Sequence, residues 1–270
     1  MNREDYIGIF DSGIGGLTVF KSIMDKMPDE KLIYFGDTAH VPYGTKSHKQ
    51  IRAYAMQDVK FLTQFNLKAL VIACNTADSV ASQTLKENFD LPIFGVIEPA
   101  SKKAALMTEN GRIGVMATAA TCKSGSYQEM IHKYNPKAKV FPLACPLLVP
   151  LVEDGRFKKD DKVVQLILTE YLDSLKEHDV DTIVLGCTHY PLLEDAIKSL
   201  VPDINVISSS EAAAEHLSHG LIEMSLDSQG TKSEYRYYVS DDPEHFKENA
   251  GTFMGKPLEE EVLLVNDSDL

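Results

Sequence analysis

Positive charge is scarce in this chain. Lys and Arg number 27 against 40 Asp and Glu, a formal net charge of −13. No basic run offsets that balance, which argues against a nucleic-acid partner. A small anionic substrate stays open, because local dipoles can outvote the global field at one site. Long apolar runs are also missing. None approaches the roughly 20 residues a bilayer span needs, so no membrane partner is expected. The opening "MNREDYIGIF" carries acidic residues and no apolar core, so it does not read as a signal peptide, and a cytoplasmic location is expected. Cysteine is sparse: Cys74, Cys122, Cys145 and Cys187, with no C-x-x-C pair and no zinc spacing. They are expected to be free thiols, with no metal. Cys122 and Cys145 read as small buried hydrophobes. There is no Gly/Ser linker and no low-complexity tract. The dinucleotide fingerprint is absent too. "DSGIGGLTVF" has Gly13 and Gly15 in place, but Thr18 stands where the third glycine belongs, and "GTKS" at 44–47 has the wrong order for a phosphate loop. The glycines instead let the backbone turn sharply after Asp11 and Ser12 and expose N–H groups to an anion.

What is present is alternation. Short apolar runs at Tyr6–Phe10, Leu32–Phe35, Ala69–Ala73, Ile93–Gly95, Arg112–Met116, Lys139–Phe141, Thr182–Leu185, Asn205–Ile207 and Glu234–Val239 read as strands. Amphipathic stretches lie between them. One carries Ile51, Tyr54, Ala55, Val59 and Leu62, another Val163, Leu166, Ile167, Tyr171, Leu172 and Leu175. Strand–helix alternation predicts an α/β fold, doubly wound, with mainly parallel sheets and helices on both faces. "EEEVLLVNDSDL" predicts a last short strand and a frayed acidic tail.

Ligands in such folds bind beyond the carboxyl ends of the strands. Five exits carry polar chemistry: Asp11-Ser12-Gly13, "GDTAHVPYG" at 36–44, Cys74-Asn75-Thr76, "ATAAT" at 117–121, and Cys187-Thr188-His189. Two are near-copies. "ALVIACNT" and "TIVLGCTH" each run from a buried strand through a small residue to a cysteine and a polar pair. A thiol at a helix N-terminus feels the positive end of the dipole, so its pKa is expected to fall. Asn75 or Thr76 is the expected cap of the helix after Cys74, and Pro191 fits the first turn after Cys187. Two matched thiols in duplicated settings suit inversion of a carbon stereocentre, one thiolate taking a proton from one face and one thiol supplying a proton to the other. The carbanionic charge between those steps needs N–H and hydroxyl donors, and Ser12, Gly44, Asn75, Thr76 and Thr188 are suitable types.

Together "DSGIGG", "GDTAHVPYG", "ACNTA" and "LGCTHYPLL" resemble the glutamate racemases of the cofactor-independent aspartate/glutamate racemase superfamily. The likeness runs nearly the whole chain, with "LVPLVEDGR" and "SDDPEHFKENAGTFMG" included. It implies interconversion of L- and D-glutamate for peptidoglycan, no pyridoxal phosphate, no metal and a homodimer. It implies two α/β domains with the site in the cleft between them, residues 1–97 plus 208–270 forming one and 98–207 the other. Cys74 and Cys187 match the catalytic thiols, acting on D- and L-glutamate respectively. Asp11 matches a polar partner of the first, and His189, with Glu153 beside it, a partner of the second. Asp11, Ser12, Tyr43, Gly44, Asn75, Thr76, Thr118, Thr121, Thr188 and His189 match substrate-contacting positions. The family pattern has arginine at position 40 and a small residue at 78. His40 here reads as shaping its loop and Asp78 as a solvated carboxylate at a helix start. The rival readings are an aspartate or broad-specificity racemase, a thiol hydrolase using Cys187 with His189, and a disulfide-switched binding protein.

Overall fold

The computed structural model of the protein describes residues 2–230 and 232–266. Its strands are β1 (Tyr6–Asp11), β2 (Leu32–Gly36), β3 (Leu67–Ile72), β4 (Ile93–Gly95), β5 (Arg112–Ala117), β6 (Lys139–Ala144), β7 (Thr182–Gly186), β8 (Asn205–Ser208), β9 (Tyr235–Val239) and β10 (Val262–Leu264). They form two sheets, ordered β10-β9-β2-β1-β3-β4 and β6-β5-β7-β8, parallel at every pairing. Helices cover both faces, so β2 and β7 are buried at every position and read as unbroken apolar runs. The fold is the expected α/β architecture. The expected acidic tail at 267–270 lies outside the described residues.

The helices are α1 (Leu17–Lys26), α2 (His48–Leu62), α3 (Asn75–Asn88), α4 (Ile97–Met107), α5 (Ala119–Ser124) and α6 (Ser126–Tyr134). They continue with α7 (Leu148–Glu153), α8 (Lys162–Lys176), α9 (Glu194–Leu200), α10 (Ser209–Glu223) and α11 (Pro243–Met254). Short 3-10 turns at Tyr43–Thr45 and Tyr190–Leu193 follow two of the polar strand exits.

The order β2-β1-β3-β4 repeats as β6-β5-β7-β8. In each half the chain leaves its first strand on one side and returns on the other. A crevice therefore opens beyond the carboxyl ends of β1 and β3, and of β5 and β7. Cys74 follows β3 and Cys187 follows β7. Their matching sequence contexts are matching places in two copies of one topology.

Two local expectations are corrected. Helix α8 buries Val164, Leu168, Leu172 and Leu175, while Val163 and Leu166 are exposed. The run "VVQLIL" offers two apolar stripes at helical spacing, and Val164 and Leu168 take the places expected for Val163 and Leu166, while Leu172 and Leu175 are buried as expected. Asp78 is not solvated. It is buried, and its Oδ2 accepts the Ile97 N–H at 2.9 Å, so it caps α4 from a neighbouring helix. Burial raises its carboxyl pKa.

At the opposite end of the first sheet, Lys68 is fully buried within β3 and paired with Glu30. Its Nζ also donates to Arg3 O at 2.7 Å, Leu226 O at 2.9 Å and Ser228 Oγ at 3.0 Å. Glu30 in turn accepts the Ser228 N–H and O–H. This pair ties the chain start and the 226–228 loop to the sheet. Lys68→Met is expected to lower unfolding free energy by about 3–5 kcal/mol, because buried Glu30 loses its cation partner. Lys68→Met with Glu30→Gln is expected to recover part of that loss. Urea unfolding measures both, and a Lys68→Met midpoint equal to that of the unmodified protein would contradict the assignment.

Candidate active site

One cavity of about 330 Å³ lies between the two sheets' crevices. Ser12, Tyr43, Gly44, Cys74, Asn75 and Thr76 line it from the first half. Thr118, Cys145, Glu153, Cys187, Thr188 and His189 line it from the second. No Lys or Arg is among its lining residues. The two thiols that sequence singles out therefore open onto the same space from opposite halves. Both are free and buried.

The halves meet closely at the loop after β1. A Cβ on Gly15 would lie 2.4 Å from both the His189 ring and Thr188 Oγ1, so only glycine permits this approach. Thr18 Oγ1 donates to Thr188 O at 2.8 Å across the same contact. The loop's N–H groups do not await an anion. Gly13 N donates to Asp11 Oδ2 at 3.0 Å, and Gly16 and Ser12 amides also face that carboxylate.

Cys74 is itself the cap of α3, its Sγ accepting from Ala77 N at 3.5 Å. That corrects the expectation of Asn75 or Thr76 as cap. Its thiol also reaches Ser12 Oγ at 3.5 Å. Asp11 does not line the cavity. It is wholly buried behind Ser12 and Cys74, and its Oδ1 has no hydrogen-bond partner. On the other side, His189 Nε2 stands 3.0 Å from Glu153 Oε1. Its Nδ1 is 3.5 Å from Thr188 Oγ1, and its ring sits edge-on to Phe253 at 5.3 Å. Glu153 is half exposed.

The thiol pKa values run against the dipole expectation. Burial pushes Cys74 up to about 12, and the nearby Asp11 carboxylate adds to the rise. The Ser12 hydroxyl and the Ala77 and Ser12 amides pull it only partly back. Burial raises Cys187 as well, with Cys74, Asp11 and Glu153 reinforcing and the His189 amide opposing. A few N–H groups cannot replace the hydration a thiolate would lose here. Burial raises the Asp11 carboxyl too, opposed by His189 and the loop amides.

The remaining residues divide by what their polar atoms already hold. Thr76, Thr118 and Thr121 hydroxyls form a triangle with sides of 3.0 to 3.3 Å, joining α3 to α5 across the seam. Thr121 lies behind this wall and outside the lining. Asn75 Oδ1 accepts from Tyr127 Oη at 2.6 Å, and its Nδ2 donates to Ser209 Oγ at 3.4 Å. The Tyr43 hydroxyl points away from the cavity, to Asp37 at 2.6 Å. A Cβ on Gly44 would meet Thr118 Cβ at 3.0 Å, another close crossing. His40 shapes its loop, bonded to Asp37 at 2.8 Å and stacked on Tyr54 at 4.0 Å. Sequence reasoning missed Cys145 as a lining residue. Strand β6 runs on to Ala144, through Pro142, which makes Cys145 another strand exit.

Comparison with known proteins agrees with this geometry. Residues 17–217 match the family model for Asp/Glu/Hydantoin racemase. A glutamate racemase of Persephonella marina is 45% identical over 257 residues, covering 95% of this chain and 96% of that one. The crystal structure of glutamate racemase isoform RacE1 from Bacillus anthracis superposes with a TM-score of 0.93 at 36% identity, covering 98% of both chains. That of the Francisella tularensis glutamate racemase, in complex with D-glutamate, gives 0.91 at 36% identity, covering 98% of this chain and 99% of that one. The chain belongs to the Asp/Glu/Hydantoin racemase family, within its glutamate racemase branch.

Proposed function

We propose that the chain is a glutamate racemase that inverts the α-carbon with Cys74 and Cys187 as opposed bases. The observation that carries this reading is the pair of thiols on topologically equivalent strand exits, lining one cavity from opposite halves. In one direction a thiolate sulfur takes the α-proton, and the C–H electron pair stays on the substrate as carbanionic charge. The opposite thiol then gives its proton to the other face, forming the new C–H bond and becoming the thiolate. The reverse reaction swaps the roles, Cys74 acting on D-glutamate and Cys187 on L-glutamate. Glutamate rather than aspartate is favoured by the near full-length relatives. The aspartate racemase of Picrophilus torridus is 20% identical and shares the fold alone.

The surroundings suit the chemistry. The substrate ammonium brings positive charge between the sulfurs and offsets the burial that holds both protonated. Asp11 would hold that thiol's proton, a role its unpartnered buried oxygen behind Cys74 supports. His189, steadied by Glu153, serves Cys187 in the same way. Substrate carboxylates would rest on neutral donors: Ser12, Thr76, Thr118 and Thr188 hydroxyls, the Asn75 amide and the Gly44 N–H. Tyr43 contributes its ring to the wall, and Thr121 supports Thr76 and Thr118 from behind. The strand membership of the two sheets supports domains of 1–97 plus 208–270 and of 98–207, with the site between, β8 running one residue past that boundary to Ser208. The family resemblance supports a cytoplasmic homodimer whose D-glutamate enters peptidoglycan, with no cofactor. Among the described residues, no helix is long and apolar enough to cross a membrane, and no three His, Cys, Asp or Glu side chains group as metal ligands.

L-glutamate in deuterium oxide should gain deuterium at the α-carbon and lose optical rotation, followed by NMR and polarimetry. Cys74→Ser and Cys187→Ser should each cut racemisation by about 10²–10⁴-fold. Full racemisation by Cys74→Ser would favour the single-thiol reading instead.

Alkylation of substrate-free protein tests the raised thiols. Iodoacetamide labelling of Cys74, read by peptide mapping, should be slow near pH ~8 and still climbing about tenfold per unit toward pH ~10. A plateau reached at neutral pH would reveal a resident thiolate and contradict it.

A further inference from the structure

Helix α2 carries an acid on its apolar face. Asp58 is 1% exposed and sits among Ile51, Ala55, Val59 and Leu62. Its Oδ2 lies 3.1 Å from Tyr43 Oη. Tyr43 Oη also lies 2.6 Å from Asp37 Oδ2. A phenol has one proton, and here it goes to the nearer acceptor, Asp37. A proton on the Asp58 carboxyl can then be donated to the free Tyr43 Oη lone pair at 3.1 Å, where two unprotonated oxygens would repel. Asp37 is the member with the larger set of donors around it. It also holds the Ser240 hydroxyl at 2.8 Å and His40 Nδ1 at 2.8 Å. The chain of bonds runs Asp58 O–H to Tyr43 Oη, then Tyr43 O–H to the Asp37 carboxylate.

The middle member of that chain borders the cavity through its ring. Tyr43 and Gly44 line it, and Gly44 abuts Thr118 of the other half. The loop carrying them is also clasped to the start of α11: Thr38 Oγ1 donates to Asp241 O at 2.6 Å, and Ala39 N to Ser240 Oγ at 2.9 Å. We propose that Asp58 is a positioning residue, its carboxyl O–H donating to Tyr43 so that Tyr43 and Gly44 are fixed as one wall of the substrate site. Burial and the facing Asp37 charge favour the protonated Asp58 against the opposing Tyr43 hydrogen bond, and burial with the two neighbouring acids holds the Tyr43 phenol protonated as well.

The inference rests on the racemase reading for its kinetic test and stands apart from it in its spectroscopic one. Asp58→Leu removes the donor and should raise the KM for both glutamate enantiomers roughly tenfold, with kcat within about twofold. Asp58→Asn keeps an N–H donor and should stay within about twofold of the unmodified protein in both constants. Infrared difference spectra at pH ~8, well above the ordinary carboxyl range, should show a protonated-acid C=O band in the unmodified protein that Asp58→Asn lacks. An unchanged band, an unchanged KM in a folded Asp58→Leu, or an Asp58→Asn as impaired as Asp58→Leu would overturn the proposal. If Asp58→Leu does not fold, the near-normal kinetics of Asp58→Asn and its missing band decide. Absence of racemisation by the unmodified protein would instead sink the functional reading, with the infrared band still reporting on Asp58.

Discussion

The close approach of the β1–α1 loop to the exit of β7 governs the rest of this molecule. Gly15 leaves no side chain between the backbone and His189, and Thr18 bonds the Thr188 carbonyl across the same seam. The Thr76–Thr118 and Asn75–Tyr127 bonds repeat the join at the other margin. Each such bond contributes only about 1 kcal/mol. Their weight is geometric. A methyl group at position 15 would force the His189 ring and the Thr188 hydroxyl, both in the cavity lining, out of their places.

Sharing that cavity buries both thiols, and burial decides their acidity. The start of α3 supplies an N–H to Cys74, and the His189 amide supplies one to Cys187, but desolvation outweighs both. The two sides differ in how a proton can be handed on. Behind Cys74 stands a lone buried carboxyl with one oxygen unpartnered. Beside Cys187 stands an imidazole backed by a half-exposed carboxylate. Equal thiols thus sit in unequal proton environments, one sealed and one open toward solvent.

Much of this was legible in the chain because it depends on local pattern. Buried parallel strands leave unbroken apolar runs, and polar residues just past them mark the binding edge. The repeat of "ALVIACNT" in "TIVLGCTH" reports a repeated topology, since the same packing constraints act at β3 and β7. What stayed hidden depends on partners distant in sequence. Asp78 reads as a helix-start acid, yet its partner is Ile97 N, reached only after α3 and β4 are packed. Cys145 reads as core because Pro142 disguises the length of β6. Tyr43 falls in a polar loop, but its hydroxyl turns away from the cavity to acids at positions 37 and 58. The face of α8 was ambiguous because apolar residues occupy neighbouring stripes, and only the sheet beneath selects one.

The absence of Lys and Arg from the cavity lining connects the acidic chain to the chemistry expected of its thiols. A guanidinium would hold a substrate carboxylate more strongly than hydroxyls and amides do. It would also stabilise any thiolate beside it, and a stabilised thiolate is a weaker base. The proton to be removed from an α-carbon is a reluctant one, so a base of high intrinsic proton affinity comes closer to matching it. Neutral donors at helix starts and strand exits can steady developing carbanionic charge without placing a fixed cation near the sulfurs. Recognition by dipoles rather than by fixed charges would keep buried thiols basic, and on the proposed reading it would let a protein of net charge −13 receive a dicarboxylic amino acid without a lysine or arginine in its pocket.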